Sequence, residues 1–440
     1  MSAAGLILAA PSSGAGKTVV TLALMRALSR RGLRIAPAKV GPDYIDPAFH
    51  AAACGRASVN LDPWGMRPAL RAALVERLGA DADLVLVEGV MGLFDGAGDG
   101  GGSTADLAAE TGWPVVLILD VNAQAGSAAA VARGFVTHRA DVEVAGVILN
   151  RVGGAAHQAM IEEALAAATP DAAPLGAVPH DGRLALPERH LGLIQAREHG
   201  DLDAFVETAA EILAESVDLD RLVALARPAR RATERDDGPP IAPLGQRIAV
   251  GQDQAFAFVY PHLLDGWRRA GAAILPFSPL ADAAPAAEAD AVYLPGGYPE
   301  LHAGRLAANR RFLDGLRAAA ARGAAVFGEC GGYMTLGDGL VDADGARHAM
   351  AGLLPVETSF AERRMHLGYR RAETLADSAL GPAGLQVSGH EFHFATTLRE
   401  GPGTPLFRLS DTRGEDRGAA GLVEGRVAGS FLHVIDRAPW

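Results

Sequence analysis

The sequence has few of the features that mark secreted, membrane-spanning or nucleic-acid-binding proteins. Its 440 residues include two cysteines, Cys54 and Cys330, which excludes a disulfide framework and a four-thiolate metal site. No apolar run approaches the roughly 18 residues that a spanning helix needs, and the amino-terminal stretch lacks the basic lead of a signal peptide. Acidic residues outnumber basic ones by 52 to 40, which disfavours nucleic acid and anionic membranes as partners. We expect a cytoplasmic protein.

The length of the chain predicts more than one domain, because a single hydrophobic core rarely organises more than about 250 to 300 residues. The clearest break is residues 227–246, where prolines and mixed charges interrupt the apolar periodicity. We therefore predict a first domain over residues 1–226, a linker over 227–246 and a second domain over 247–440. The arginines of the linker could form an anion site, but a solvated linker is the preferred interpretation.

Both halves alternate short apolar runs with helical segments. The runs of the first half are residues 6–9, 35–38, 84–87, 115–119 and 144–149, and those of the second half are 248–250, 273–275, 291–294 and 324–327. Runs this apolar are typical of strands buried on both faces of a parallel sheet that helices cover. The predicted fold class is therefore α/β in both halves.

A candidate phosphate loop, PSSGAGKT, occupies residues 11–18 between the first apolar run and a helical segment. Glycines such as Gly14 and Gly16 allow backbone N–H groups to face an anion at the amino terminus of the helix. In this pattern Lys17 reaches the outer phosphates and the Thr18 hydroxyl ligates magnesium. Pro11 stands where the full pattern has glycine, but strand, loop and helix occur in the required order. The segment predicts a site for a nucleoside triphosphate.

Charged residues follow two other predicted strands of the first half. Lys39, Asp43 and Asp46 come directly after the second run. Glu88 ends the third run, and Asp95 lies seven residues later in a glycine-rich loop. Because ligands bind at the carboxyl ends of strands in doubly wound sheets, we expect a magnesium and substrate site here, with Glu88 as a metal ligand. For Asp43 alone, a turn-forming role is equally open.

Three further residues of the first half have two interpretations each. The amide of Asn150, at the end of a predicted strand, could read the edge of adenine or could cap the strand. Arg189 and His190 could meet the carboxylates of a substrate or could form a solvated turn. We leave Arg189 and His190 outside the predicted catalytic set.

The second half contains a candidate cysteine nucleophile. Cys330 lies between a predicted strand and an apparent helix and has glycines on both sides, which indicates a sharp strand-to-helix turn. The helix amino terminus is expected to lower the pKa of its thiol. Gly297, in the segment PGGYPE, is the predicted oxyanion donor, and His433 near the carboxyl terminus is the predicted base. A free cysteine taken alone is more often inert, but this turn favours a nucleophile.

Together the motifs resemble those of a known family. The segments PGGYPE, GECGGYMTLG and SFLHV resemble a triad-type glutamine amidotransferase domain of the cobyrinic acid synthase family. The segments SSGAGKT, KVGPDYIDP and VEGVMGLFDG resemble the dethiobiotin-synthetase-like ATP domain that this family fuses to it. The resemblance implies a P-loop parallel-sheet domain followed by a flavodoxin-like amidotransferase domain. It also implies a ligase of cobalamin biosynthesis, which uses ATP and glutamine to amidate the a and c acetate side chains of cobyrinic or hydrogenobyrinic acid.

The same resemblance implies roles for the candidate residues. Cys330 would attack the amide of glutamine with His433 as its base and general acid. The matched synthetase positions are Lys17 and Thr18 for phosphate and metal, Glu88 for a metal carboxylate, and Asp43, Asp46 and Asp95 for the acidic positions of the site. From the residues themselves we add Asn150 for ATP and Lys39 for the substrate, and we favour Asp46 for magnesium and Asp43 and Asp95 for the substrate. The division of roles among the three aspartates stays open. The implied cofactor is Mg²⁺, the implied partners are ATP, glutamine and a corrin polycarboxylate, and a homodimer is the base expectation.

One departure from the family pattern and two alternatives remain. Ile435 stands two residues after the histidine, where such triads have glutamate, so a different acid orients His433 or the site operates as a dyad. An enzyme that amidates cobyric acid or nickel-sirohydrochlorin would share this architecture. A ParA-like nucleotide switch is disfavoured, because Ser12 stands where those proteins usually have lysine and because they need no cysteine turn.

Overall fold

The structure, a computed structural model, describes residues 4–186 and 201–437. The described chain clusters into two compact units. The first comprises residues 4–64, 68–96 and 100–236, and the second comprises residues 65–67, 97–99 and 237–437. The predicted linker is therefore divided at Asp236, and its first half groups with the first unit.

The first unit is built on a largely parallel sheet. Its strands are β1 (Ala4–Ala9), β2 (Ile35–Val40), β3 (Val59–Leu61), β4 (Leu84–Glu88), β5 (Val115–Asp120), β6 (Val144–Val152), β7 (Ala173–Pro179) and β8 (Arg227–Pro228). Among the described residues the order is β3-β2-β4-β1-β5-β6-β7, with parallel neighbours, and β8 pairs antiparallel with β1. Every residue of β2 and β4 is buried, which explains why these strands read as short apolar runs.

Helices cover this sheet and connect its parallel strands. They are α1 (Lys17–Arg30), α2 (Asp46–Cys54), α3 (Pro68–Ala80), α4 (Thr104–Thr111), α5 (Ser127–Thr137), α6 (Ala155–Ala168), α7 (Leu202–Ser216) and α8 (Leu219–Leu225). One core cluster joins Leu22 of α1, Leu86 of β4 and Val206 of α7, all fully buried. Because β1, β2 and β4 are parallel neighbours, the loops that leave their carboxyl ends meet at one edge of the sheet.

The second unit combines parallel and antiparallel strands. Its strands are β9 (Arg247–Gly251), β10 (Ala273–Phe277), β11 (Ala291–Leu294), β12 (Ala325–Glu329), β13 (Gly339–Val341), β14 (Arg347–Ala349), β15 (Val356–Ser359), β16 (His366–Thr374), β17 (Gln386–His393), β18 (Thr396–Glu400), β19 (Thr404–Ser410), β20 (Asp416–Glu424), β21 (Val427–Ser430) and β22 (Leu432–Arg437). Its helices are α9 (Pro261–Arg269), α10 (Ala303–Ala308), α11 (Arg310–Ala321) and α12 (Gly331–Leu336).

Two sheets organise the described strands of this unit. The larger has the order β10-β9-β11-β12-β21-β20-β19-β16-β17-β22, and the smaller has the order β14-β13-β15-β18. Strands β10, β9, β11, β12 and β21 are parallel neighbours, and the rest of the larger sheet is antiparallel. Phe312 of α11 and Val326 of β12 belong to the core cluster of this unit.

The α/β prediction is confirmed, and each of the nine apolar runs coincides with a strand. The apolar runs of the sequence did not predict the antiparallel strands of the second unit. Strand β20, for example, is exposed over more than half of its length, and its buried and exposed residues do not alternate regularly. Such a strand leaves no short apolar run in the sequence. Among the described residues, no helix is both long and apolar enough to cross a bilayer.

Candidate active sites

The phosphate loop joins β1 to α1 as predicted. Gly14 and Gly16 both have left-handed backbone conformations, with φ of 80° and 83°. A Cβ on Gly16 would lie 2.3 Å from the side-chain nitrogen of Asn150, so only glycine fits this position. That nitrogen donates a hydrogen bond to the Ala15 carbonyl at 2.8 Å. Asn150 therefore stabilises the phosphate loop through this hydrogen bond, and its predicted contact with ATP stays a prediction.

A buried carboxylate, Glu88, lies at the centre of the neighbouring cluster. It ends β4 and is fully enclosed. It accepts hydrogen bonds from the Thr18 hydroxyl at 2.7 Å and from Lys39 Nζ at 3.1 Å. Its other oxygen lies 2.6 Å from His50 Nε2, and Lys17 Nζ lies 3.8 Å from the carboxylate. The predicted residues Lys17, Thr18, Lys39 and Glu88 are thus in one cluster.

Lys39 links this cluster to the aspartates of the following loop. Its ammonium donates to Asp46 Oδ2 at 2.5 Å and lies 3.8 Å from Asp43 Oδ2. Asp46 Oδ1 is buried and has no hydrogen-bond partner among the described residues. Asp43 Oδ1 accepts the backbone N–H groups of Ile45 and Asp46, so Asp43 forms the turn that begins α2. The structure therefore agrees both with a turn-forming role for Asp43 and with its place in the charged cluster around Lys39.

The charges of this cluster shift one another's ionisation. The three surrounding carboxylates raise the pKa of Lys39 although burial opposes its charge. Lys39 and the His50 hydrogen bond hold the pKa of Glu88 well below its usual value against the effect of burial. Burial, Asp43 and Glu88 raise the pKa of Asp46, and burial and Lys39 lower that of Lys17. Lys39 and Glu88 are therefore held as a fixed pair of opposite charges, whereas burial shifts Asp46 and Lys17 toward their neutral forms.

Asp95 is placed beside the phosphate loop but is exposed. Its carboxylate accepts the Gly92 N–H at 2.8 Å and closes a tight turn. The next residue of that turn, Leu93, donates its N–H to the Ala10 carbonyl at 2.9 Å. The described contacts give Asp95 a turn-forming role, and its predicted contact with substrate stays a prediction.

The donor set of this cluster fits a magnesium ion. Magnesium takes oxygen ligands and usually binds one or two carboxylates together with substrate phosphates. The Thr18 hydroxyl, the Glu88 carboxylate and the unsatisfied Asp46 Oδ1 supply such oxygens next to the phosphate loop. Among the described residues, no group of three or more His, Cys, Asp or Glu side chains forms a metal cage, so the ion would depend on the nucleotide for its remaining ligands.

Two signals for this site were not used in the sequence analysis. Lys17 and Lys39 are the only lysines among the 40 Lys and Arg residues of the chain, and both lie in this cluster. His50 was missed because a histidine inside an apolar helix gives no motif. His50 lies one turn after Asp46 on α2. Its Nδ1 lies 3.0 Å from the Ser58 hydroxyl and its Nε2 contacts Glu88, so both ring nitrogens have a partner.

The cysteine turn has the predicted form. Cys330 lies between β12 and α12 with φ of 47°, an uncommon conformation for a residue with a side chain. Its thiol is buried, and its sulfur donates to the Phe392 carbonyl at 3.6 Å. The N–H groups of Gly297 and Gly331 act on the thiol and favour its ionised form. The predicted oxyanion donor thus lies at the nucleophile.

His433 packs directly against the loop that carries Gly297. A Cβ on Gly296 would lie 2.2 Å from His433 Cε1, so the imidazole occupies the space that any larger residue would need. His433 is fully buried in β22. Burial and the nearby His390 and His393 lower its pKa, which keeps the imidazole neutral and able to accept a proton.

An acid that the sequence analysis did not identify lies next to this histidine. Glu329 Oε2 lies 4.0 Å from His433 Nδ1. The same oxygen accepts the Tyr293 hydroxyl at 2.7 Å, and Oε1 accepts the Val434 N–H at 3.0 Å. Glu329 directly precedes Cys330 in the chain, a place where the usual triad spacing gave no reason to search. Burial raises its pKa to about 7.

The expected lowering of the Cys330 pKa is wrong for the structure as it stands. Burial and the negative charges of Glu300 and Glu329 raise the pKa of the thiol more than the backbone N–H groups lower it. The helix α12 is six residues long, so its dipole is small. The thiol is therefore protonated before substrate binds.

Arg189 and His190 lie outside the described residues.

Both parts of the chain match known domain families. Residues 6–194 match a family described as the CobQ/CobB/MinD/ParA nucleotide binding domain. Residues 247–439 match a family described as the CobB/CobQ-like glutamine amidotransferase domain. The order of the two matches is the order that the motifs predict.

The chain is also similar over nearly its whole length to curated proteins. A hydrogenobyrinate a,c-diamide synthase of Brucella anthropi is 55% identical over 98% of both chains. A protein of the same name from Sinorhizobium sp is 54% identical over 99% of both chains. Another, from Rhodobacter capsulatus, is 54% identical over 98% of both chains.

Proposed function

The chain belongs to the hydrogenobyrinate a,c-diamide synthase family, and on that premise we propose that it amidates the a and c acetate side chains of hydrogenobyrinic acid. ATP and glutamine are the co-substrates. The observation that carries the proposal is the similarity to synthases of that name over both halves of the chain. The presence of a phosphate-loop cluster and a cysteine turn in one chain supports it.

The second unit would release ammonia from glutamine. The Cys330 thiol gives its proton to His433, and the sulfur attacks the side-chain amide carbon. The Gly297 N–H stabilises the negative oxygen of the tetrahedral intermediate. His433 returns the proton to the departing nitrogen, which leaves as ammonia, and a thioester remains on the sulfur. Water, deprotonated by His433, hydrolyses the thioester to glutamate and regenerates the thiol.

Glu329 would be the positioning acid of this half. Its contacts with Tyr293 and Val434 hold the carboxylate close to His433 Nδ1. A carboxylate there favours the imidazolium that forms when His433 accepts the thiol proton. The site would thus keep a triad although Ile435 occupies the usual position.

The first unit would activate the acetate side chain. The carboxylate of the corrin attacks the γ-phosphorus of ATP, ADP leaves, and an acyl phosphate forms. Ammonia then displaces phosphate from the acyl carbon and gives the amide. Lys17, with the backbone N–H groups around Gly14 and Gly16, would stabilise the phosphates, and Lys39 would neutralise charge on the transferring group.

Magnesium would be held by Thr18, Glu88 and Asp46 and would neutralise charge on the phosphates of ATP. The unsatisfied Asp46 Oδ1 supports this assignment. Asp43 and Asp95 would shape the substrate side of the site through the turns that they form, and Asn150 would hold the loop that surrounds the nucleotide.

The substrate assignment is tested by supplying the wild-type protein with ATP, Mg²⁺ and glutamine together with either hydrogenobyrinic or cobyrinic acid. Mass spectrometry then counts the amide groups formed. We expect the diamide of hydrogenobyrinic acid, with cobyrinic acid used less well. If glutamine is hydrolysed but neither corrin is amidated, the two-site chemistry holds and the substrate assignment falls.

A homodimer and a cytoplasmic location are further parts of the proposal. Closed dimers are the commonest assemblies of soluble chains. Light scattering of the purified protein would give twice the monomer mass if the proposal is right, and the monomer mass would contradict it. Fractionation of the native cells would test the location.

A further inference from the structure

Glu300 is a half-buried acid near the cysteine turn that the mechanism above does not use. It follows the PGGYP segment in the 3-10 helix Pro299–His302. Its Oε2 atom is buried and has no hydrogen-bond partner among the described residues. A buried carboxyl oxygen without a partner costs free energy, so its presence calls for a ligand.

Two observations place this acid at the cysteine turn. A Cβ on Gly331 would lie 2.9 Å from Pro299 Cδ and 3.1 Å from the Gly297 nitrogen, so the loop before Glu300 packs directly on the turn that carries Cys330. The charge of Glu300 also acts on the Cys330 thiol, with a stronger effect than the charge of the adjacent Glu329. Glu300 therefore follows the loop that packs on the cysteine turn and lies within electrostatic reach of the reacting thiol.

The substrate of this site carries a cation at a short, fixed distance from its reacting carbon. In glutamine, two methylene groups and the α-carbon separate the amide carbon from the α-ammonium group. Arg363 is a cation whose charge acts on Glu300, but its side chain is exposed. The enclosed Oε2 is thus available to a cation that arrives with the substrate.

We propose that Glu300 binds the α-ammonium group of glutamine and so selects glutamine among primary amides. The inference rests on the proposed glutamine hydrolysis and adds a specificity-determining residue to it. An ammonium donor would satisfy Oε2 and would stabilise the ionised carboxylate in its dry surroundings.

The pairing would also set the charge of the acid. Burial raises the pKa of Glu300 to about 8, so the acid is mostly protonated at neutral pH before substrate binds. The α-ammonium group would lower that pKa and pair with the carboxylate that forms. The negative charge that opposes ionisation of Cys330 would therefore be compensated whenever glutamine is bound.

The test compares two substrates and two acid variants. The substrates are glutamine and 4-carbamoylbutanoate, which has the same amide but no α-amino group. For Glu300→Gln we expect kcat/KM with glutamine to fall roughly 10- to 100-fold, mostly through KM, because a hydrogen bond between charged groups is lost. The value with 4-carbamoylbutanoate should change less than about threefold. Glu300→Asp should keep part of the preference for glutamine.

Controls separate this inference from folding and from the proposed function. Glu362→Gln changes an exposed acid of the same unit and should match the wild type. Ammonia-supported amidation by Glu300→Gln should be unchanged, which shows that the variant folds. Equal losses on both substrates, or an unchanged ratio between them, would overturn the inference alone. Failure of the wild type to hydrolyse glutamine would overturn the glutaminase assignment and this inference together.

Discussion

At the phosphate loop the buried pair Lys39 and Glu88 is held ionised by opposite charges, whereas at the cysteine turn burial pushes the ionisable groups toward their neutral forms. Lys39 lies 3.1 Å from Glu88, and neighbouring opposite charges outweigh burial for both groups. At the turn, burial raises the pKa of Glu329 and Cys330 and lowers that of His433. A site that binds a polyanion benefits from charges fixed in advance. At the cysteine site the thiol and the imidazole are both neutral at rest, so the proton moves from Cys330 to His433 only in the reaction with substrate.

The largest effect is expected when the fixed charge of the first site is removed. Lys39→Met should lower amidation by roughly 100- to 1000-fold with either glutamine or ammonia, because an electrostatic contact to the transferring group is lost. It should also destabilise the first unit by about 3–5 kcal/mol, because buried Asp46 and Glu88 lose their partner.

Corrin amidation, glutaminase activity and urea unfolding together measure the effect of Lys39→Met. Glutamine hydrolysis by the second unit should survive. Arg34→Met, which removes an exposed cation, is the matched control. Normal amidation by Lys39→Met would contradict the role of the fixed charge.

A second prediction displaces the base of the cysteine site. Gly296→Ala would place a methyl group 2.2 Å from His433 Cε1 and would displace the imidazole from its position. We expect a roughly 100-fold loss of glutaminase kcat, the usual effect of misplacing a catalytic group by about 1 Å. Gly304→Ala, whose Cβ would find its nearest atom at 3.5 Å, is the control. If ammonia-supported amidation fell as well, the effect would be general unfolding.

The third prediction concerns the orienting acid. Glu329→Gln keeps the shape of the side chain but removes the charge that would stabilise the imidazolium of His433. Acid–base catalysis contributes 10²- to 10⁴-fold in enzymes, and loss of the positioning acid should remove roughly 10- to 100-fold of glutaminase kcat. The KM for glutamine should change little. Glu288→Gln, an exposed substitution, is the control, and an unchanged kcat would show that the site is a dyad.

The smallest effect is a pH dependence of stability. Burial raises the pKa of Glu300 to about 8 from 4.5 although the charge of Arg363 opposes the shift, and the charge of Glu300 acts on Cys330. The stability that the protonated acid contributes is fully present below the unfolded pKa and is lost as the pH rises through 8. Urea unfolding between pH 5 and 8.5 should show a fall of a few kcal/mol in the wild type that Glu300→Gln lacks. Parallel curves would contradict the burial of this acid.

Much of the fold could be predicted because parallel strands buried on both faces leave short apolar runs, as in β2 and β4. Cys330, His433, Lys17 and Thr18 could be named because each occupies a position in a local motif. His50, Glu300 and Glu329 could not be assigned, because their roles depend on burial and on contacts between segments distant in the chain. The predicted direction of the Cys330 pKa shift was wrong for the same reason, because burial outweighs the local effect of a short helix.

The most direct test of the account is the nitrogen source used by Cys330→Ala. With ATP, Mg²⁺ and hydrogenobyrinic acid, we predict that this variant forms the diamide at the wild-type rate from ammonium at alkaline pH and forms none from glutamine. That result would assign the two chemistries to separate sites. Loss of ammonia-supported amidation in a folded Cys330→Ala protein would contradict the account, because the thiol would then be needed for the synthetase step.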